Sequence, residues 1–140
     1  KVVAQLAEAG IVTSVFIDAE LPQVEAAARI GARVCELHTG PYAHAFYERG
    51  RDPRSPTVAA ELEKLRRAGQ TVVDLDMRFN AGHALTYFNV QPVAALPQLR
   101  ELHIGHAIVS RAVFFGMREA VREMKRLMRE AAEHLNHLAP

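Results

Sequence analysis

Two short stretches of this chain place a histidine directly after a glycine: Asn80-Ala81-Gly82-His83 and Ile104-Gly105-His106-Ala107. Imidazole exchanges a proton near neutral pH. Glycine lets the backbone turn tightly or approach a ligand closely. Each stretch comes after a run that can form a strand. One such turn is ordinary loop composition. Two of the same form, at two strand ends, predict a single active rim. A third chemical element is Glu36-Leu37-His38. Burying a carboxylate unpaired costs several kcal/mol, so Glu36 needs either a cationic partner or a place at the polar mouth of a sheet. Strand alternation sends Glu36 and His38 to one face. A catalytic zinc needs three converging protein ligands, and this pair brings no others, so no metal is expected.

The elements that must position these residues alternate along the chain. Val2, Leu6 and Ala9 lie at helical spacing before Gly10. Ile11 to Ile17 reads as a strand buried on both faces, its apolar content being too high for one solvated face. A helix starts at Leu21-Pro22 and closes at Gly31. Ala32 to His38 is the next strand, with a turn at Thr39-Gly40-Pro41 and, after Tyr42 to Tyr47, a polar loop rich in Arg, Gly and Pro from Glu48 to Pro56. Thr57 is the expected N-cap of the next helix. From Ala59 to Asp76 the pattern fits one long helix, or a helix stopped at Gly69-Gln70 with a strand opening at Thr71. Met77-Arg78-Phe79 leads into Asn80 as a strand, and Asn89-Val90 opens a short helix ended by Pro97. Leu99 to Ile104 is a strand, 107–114 a short helix broken by Gly116. Met117, Val121, Met124, Met128, Ala131 and Leu135 form the apolar stripe of a final helix whose fraying end carries solvated His134 and His137.

Four strand–helix units predict an α/β fold with parallel strands. Two architectures remain: about half of an eight-unit barrel, or an open doubly wound sheet with a reversal of strand order. Ile104-Gly105-His106-Ala107 before a short helix suits a barrel phosphate site, where free N–H groups of the first turn hold phosphate oxygens. No Gly-x-Gly-x-x-Gly or Gly-Lys-Ser/Thr phosphate loop is present.

Composition narrows the classes. Seventeen Lys and Arg against sixteen Asp and Glu leave a formal charge of +1, which argues against nucleic acid as a partner. No run is long enough to span a membrane. The single Cys35 excludes an internal disulfide and fits a reducing, cytoplasmic setting. In a strand it is expected to be a small buried hydrophobe. The opening residues read as the last turns of a helix, not as the start of a protein.

The chain resembles the pyridoxine 5′-phosphate synthase family through four motifs in order: Val15-Phe16-Ile17-Asp18, Glu36 to Ala43 (Glu-Leu-His-Thr-Gly-Pro-Tyr-Ala), Phe79 to Tyr87 (Phe-Asn-Ala-Gly-His-Ala-Leu-Thr-Tyr) and Glu101 to Ile108 (Glu-Leu-His-Ile-Gly-His-Ala-Ile). The resemblance covers the whole chain and matches the second half of that protein. It implies a TIM (β/α)8 barrel, of which residues 1–140 are the C-terminal half, assembled in the family as homo-octamers. It implies a transferase that condenses 3-amino-2-oxopropyl phosphate with 1-deoxy-D-xylulose 5-phosphate, releases phosphate and water, and needs no metal or organic cofactor. It makes His83 the proton donor and Glu36 the transition-state stabiliser. Gly105, His106 and Ala84 become substrate- and phosphate-binding positions, Ala84 standing where the family usually has glycine. It also favours the long helix, running to Leu75. The family's Asn-x-Asp-His motif, substrate arginine, and histidine and glutamate bases lie in its first strands and are not in this sequence. The 140 residues alone are therefore expected to be inactive. The alternative is a non-catalytic or vestigial half-barrel that associates with itself or with a complementary half.

Overall fold

The computed structural model describes the backbone of residues 1–138 and the side-chain surroundings of residues 1–133. Helix α1 (Val2–Glu8) leads to β1 (Ser14–Ile17), α2 (Leu21–Arg29), β2 (Val34–His38), α3 (Gly40–Glu48), α4 (Pro56–Asp74), β3 (Arg78–Gly82), α5 (Val90–Ala94), β4 (Glu101–His103), α6 (His106–Phe115) and α7 (Met117–Leu138). The four strands form one sheet in the order β1-β2-β3-β4, and every pair is parallel. No reversal of strand order occurs, so the crevice on which a doubly wound sheet builds its site is absent from this sheet.

The register sorts the side chains into two unlike faces. Val15, Ile17, Cys35, Leu37, Phe79, Ala81 and Leu102 belong to the core under the helices. Burial pushes the Cys35 thiol up to about 11, so it packs as the small hydrophobe expected from the sequence. Phe16 pairs with Glu36, Glu36 with Asn80, and His38 with Gly82, which pairs in turn with His103. In-register partners on parallel strands share a face. The face away from the core therefore carries Phe16, Glu36, His38, Arg78, Asn80, Gly82, Glu101 and His103.

Helix α4 runs unbroken through Gly69. A glycine inside a helix costs about 1 kcal/mol relative to alanine, but here it answers a packing demand. A Cβ at Gly69 would overlap Cε1 of the Phe79 ring, so only glycine lets this helix close onto β3. Val72, which has strand propensity, is fully buried on the same helix. Asp76 turns the chain at φ 58°.

Several expectations need correction. Residues 11–13 are not strand, and β1 is not buried on both faces: Ile11, Val12 and Phe16 are exposed, because β1 is an edge strand and its inner face is open. The segment Thr39-Gly40-Pro41 is no isolated turn. It starts α3, with Thr39 as N-cap and Pro41 in the first turn, where a missing N–H costs nothing. The cap of α4 is Ser55, not Thr57, which places Pro56 at the first helical position. Strand β4 shortens to three residues. On α7 the buried face is centred on Ala120 and Met124, with Met117 exposed. Leu135, His134 and His137 lie outside the described side chains. Among the described residues, no helix is long and apolar enough to cross a membrane.

Candidate active site at the strand ends

All four strands end on the same edge of the sheet, and the polar face opens there into a cleft of about 640 Å³. Its lining includes Phe16, Glu36, His83, Ala84, His103, Gly105 and His106. The five residues singled out from the sequence, Glu36, His83, Ala84, Gly105 and His106, thus converge on one cavity from three strand ends.

Glu36 has the cationic partner its burial demands and faces the mouth as well. Nδ1 of His103 lies 2.6 Å from its Oε2. A carboxylate only accepts, so Nδ1 carries the proton and donates. The second ring nitrogen of His103 lies 3.5 Å from Oε2 of Glu101. The hydrogen bond from His103 to Glu36 raises the imidazole pKa above its ordinary 6.5, aided by the charges of Glu36 and Glu101 and opposed by desolvation. His103 was not among the site residues read from the sequence. The signal that points to it is the requirement that a strand carboxylate be paired.

The raised value fixes the sign of the pH dependence. The protonated pair contributes fully below the unfolded imidazole value near 6.5. It is lost as pH rises through the higher folded value. We expect the His103 ring signals in NMR to titrate above 6.5, and Glu36→Gln to bring that midpoint down. The thermal midpoint should fall as pH rises through that range, and His103→Gln should flatten that component. An unmoved His103 midpoint in Glu36→Gln would refute the pairing.

His83 directly succeeds β3 and holds φ 81°, and Ala84 comes next at φ 57°. Two successive non-glycine residues in the left-handed region need outside support. Thr39 supplies it. Its hydroxyl, fully buried, shares its one proton between the Gly82 carbonyl at 2.6 Å and the adjacent His83 carbonyl. The Thr39 N–H donates to the Gly82 carbonyl at 2.8 Å. The left-handed conformation disfavours a Cβ by about 1–2 kcal/mol, so Ala84→Gly should stabilise the chain by about 0.5–1 kcal/mol after about 0.4–1 kcal/mol for the entropy of the unfolded glycine is discounted. A urea midpoint that stays put or falls would contradict this.

Past Ala84, Asn89 ties the loop together. Its Oδ1 accepts from the Thr86 N–H at 2.7 Å, and the Tyr42 hydroxyl donates to its carbonyl at 2.9 Å. The Tyr87 hydroxyl donates to the Ala120 carbonyl at 2.8 Å. The Arg111 guanidinium lies 4.7 Å from the ring centroids of both Tyr87 and Phe115. These contacts fix α6 and α7 against the loop that carries His83. The sequence reading missed Thr39 and Arg111, since neither has chemistry of its own.

Gly105 caps α6 and His106 opens it. The first-turn N–H groups of α6 have no intrahelical acceptor and carry the positive end of the helix dipole, and they face the cleft edge lined by Gly105, His106 and Ala107. Free N–H groups at a helix start are able to hold an anion. Glu36 and His38 share a face as expected but diverge in partners, Glu36 to His103 and His38 to Asp18. Among the described residues, no three His, Cys, Asp or Glu side chains group as metal ligands.

The model of the family described as Pyridoxal phosphate biosynthesis protein PdxJ matches residues 1–130. Among curated relatives, pyridoxine 5′-phosphate synthase of Aromatoleum aromaticum is 76% identical over 131 residues, covering 94% of this chain and 52% of the relative. The protein of that name from Azoarcus sp. is 74% identical over 131 residues, covering 53% of the relative. That of Magnetococcus marinus is 52% identical over 131 residues, covering 51%. The chain spans about half the length of the curated relatives it matches. A family model that matches nearly the whole chain, together with relatives at this identity, means that the chain belongs to the PdxJ family of pyridoxal phosphate biosynthesis proteins.

Proposed function

We propose that the chain is the C-terminal half of a (β/α)8-barrel pyridoxine 5′-phosphate synthase, contributing the last four βα units. The reaction is the condensation of 3-amino-2-oxopropyl phosphate with 1-deoxy-D-xylulose 5-phosphate, with release of phosphate and water. The observation that carries this reading is the convergence of Glu36, His83, Ala84, Gly105 and His106 on one cleft at the strand ends. Family membership supplies the chemistry to test against that geometry.

The residues divide the work by their physical character. The substrates join through a carbonyl and an amine, and each dehydration needs a proton on the departing oxygen. His83 stands in the open mouth and gives that proton as a general acid. Glu36, fixed by His103, faces the positive charge that develops on the condensing amine, and a pre-oriented carboxylate stabilises it without reorganising. The N-terminus of α6 at Gly105-His106 anchors the substrate phosphate through backbone N–H groups, with the His106 imidazole as a further donor when protonated. The Ala84 N–H serves the same substrate. Chemistry of several steps needs every reacting group positioned at once, and the motifs of the family's first strands are not in this sequence. The 140 residues alone are therefore inactive.

A second reading has its own observation. Val113, Phe114 and Phe115 on α6 are exposed, as are Ile11 and Val12 before β1, and Phe16 on β1 is half-exposed. Such surface favours a half-barrel that pairs with a copy of itself or with a complementary half. Co-production of this chain with the first half of a relative separates the two. Substrate-dependent phosphate release by the joined halves supports the synthase. A stable self-associated species that gains no turnover supports the non-catalytic module.

A further inference from the structure

His83 is placed to give a proton, yet among the described residues no hydrogen bond holds its ring. Its direction is set by the strained backbone beneath it and by what its ring packs on. Two rings do the packing. The His38 ring centroid lies 4.9 Å away with the planes at 65°, and the Phe16 centroid lies 6.3 Å away. Phe16 is half-exposed on an edge strand, so the firmer support is His38.

His38 is itself held on two sides. Its Nδ1 donates to Oδ1 of Asp18 at 2.9 Å, which fixes the tautomer and the ring plane, since a carboxylate can only accept. Its Nε2 edge lies against the backbone of Gly40, where a Cβ would overlap the ring. The Phe16 ring meets it edge to face at 5.2 Å. The Asp18 side chain is 58% exposed and, with His38, lines a neighbouring hollow rather than the cleft itself, so this pair contributes little to the stability of the core.

We propose that Asp18 and His38 are positioning residues for His83, so that the orientation of the acid is controlled by a carboxylate that never meets the substrate. The order runs from Asp18 through the His38 ring to the His83 ring. Thr39, next in the chain to His38, clamps the His83 carbonyl, so one strand end governs both the backbone and the ring of His83. This inference rests on the assignment of His83 as proton donor under the proposed function. A proton donor displaced by a fraction of an ångström transfers its proton far less effectively, so loosening His38 lowers turnover without weakening substrate binding.

The test uses a full-length enzyme carrying this segment, in the His83 and His83→Asn backgrounds. Asp18→Ala, a change at an exposed side chain, should lower kcat about tenfold with KM for both substrates held within about twofold. Asp18→Asn should recover most of the loss, because its amide oxygen accepts the same bond from His38 Nδ1. In the His83→Asn background, Asp18→Ala should cost nothing further, since the group it positions is gone. The His83 ring signals in NMR should shift in Asp18→Ala and return in Asp18→Asn, a readout that does not depend on turnover. Unchanged kcat and unchanged His83 signals in Asp18→Ala would overturn the proposal. An equal loss in both backgrounds would also overturn it, because it would make Asp18 structural. Full turnover in His83→Asn alone would instead remove the proton-donor assignment beneath it.

Discussion

Replacing His83 with Asn in a full-length enzyme carrying this segment should lower turnover about 10²-fold or more, the usual scale for a positioned general acid. The amide keeps some hydrogen bonding but cannot give up a proton near neutral pH. The backbone makes the comparison clean. His83 sits at φ 81°, and Asn is among the residues that best tolerate the left-handed region. The variant should therefore fold at least as well, with a thermal midpoint equal to or slightly above that of the parent. His44 lies on the exposed side of α3, and its replacement by Asn should leave turnover nearly intact. Turnover within a few-fold of the parent in His83→Asn would take His83 out of the mechanism and leave the strand-end histidine as a turn residue.

Gly82→Ala is expected to destabilise the fold strongly. Its Cβ would overlap Oε1 of Glu36 and stand 2.9 Å from the His103 carbonyl oxygen. The carboxylate cannot swing away freely, because its other oxygen accepts from His103 at 2.6 Å. The carbonyl cannot yield without disturbing the β3–β4 ladder, where Gly82 pairs with His103. Overpacking of this kind costs about 1–3 kcal/mol. With a backbone atom on one side, we expect about 2 kcal/mol or more, read as a lower urea midpoint. The same variant should bring the His103 pKa down toward 6.5, because Glu36 must move to admit the methyl group. A midpoint equal to the parent would show that β4 separates from β3 without cost, and the close contact between Glu36 and Gly82 would lose its meaning for the site.

Local pattern reached the elements and several candidate residues, but not the packing between them. Strand and helix alternation and the candidates Glu36, His83, Gly105 and His106 rest on local pattern: periodicity, glycine beside histidine, a carboxylate where an aliphatic residue belongs. Ala84, and the role given to each of them, came from the family resemblance. The need of Glu36 for a partner was legible too. Which residue would meet that need was not, because His103 lies 67 positions away and comes beside Glu36 only through the β2–β3–β4 register. The same holds for Asp18 with His38 and for Thr39 beneath His83, pairs made by adjacent strand ends. The helix through Gly69 is the sharpest case. Local propensity left helix and strand both open there, and the resemblance favoured the helix. The physical cause lies in three dimensions alone, where the Phe79 ring occupies the space a Cβ would need and Val72 finds complete burial. The open face of β1 shows the converse. Its apolar run read as buried on both sides, yet hydrophobicity records what a segment can bury, and the contacts of the folded chain decide whether anything covers it.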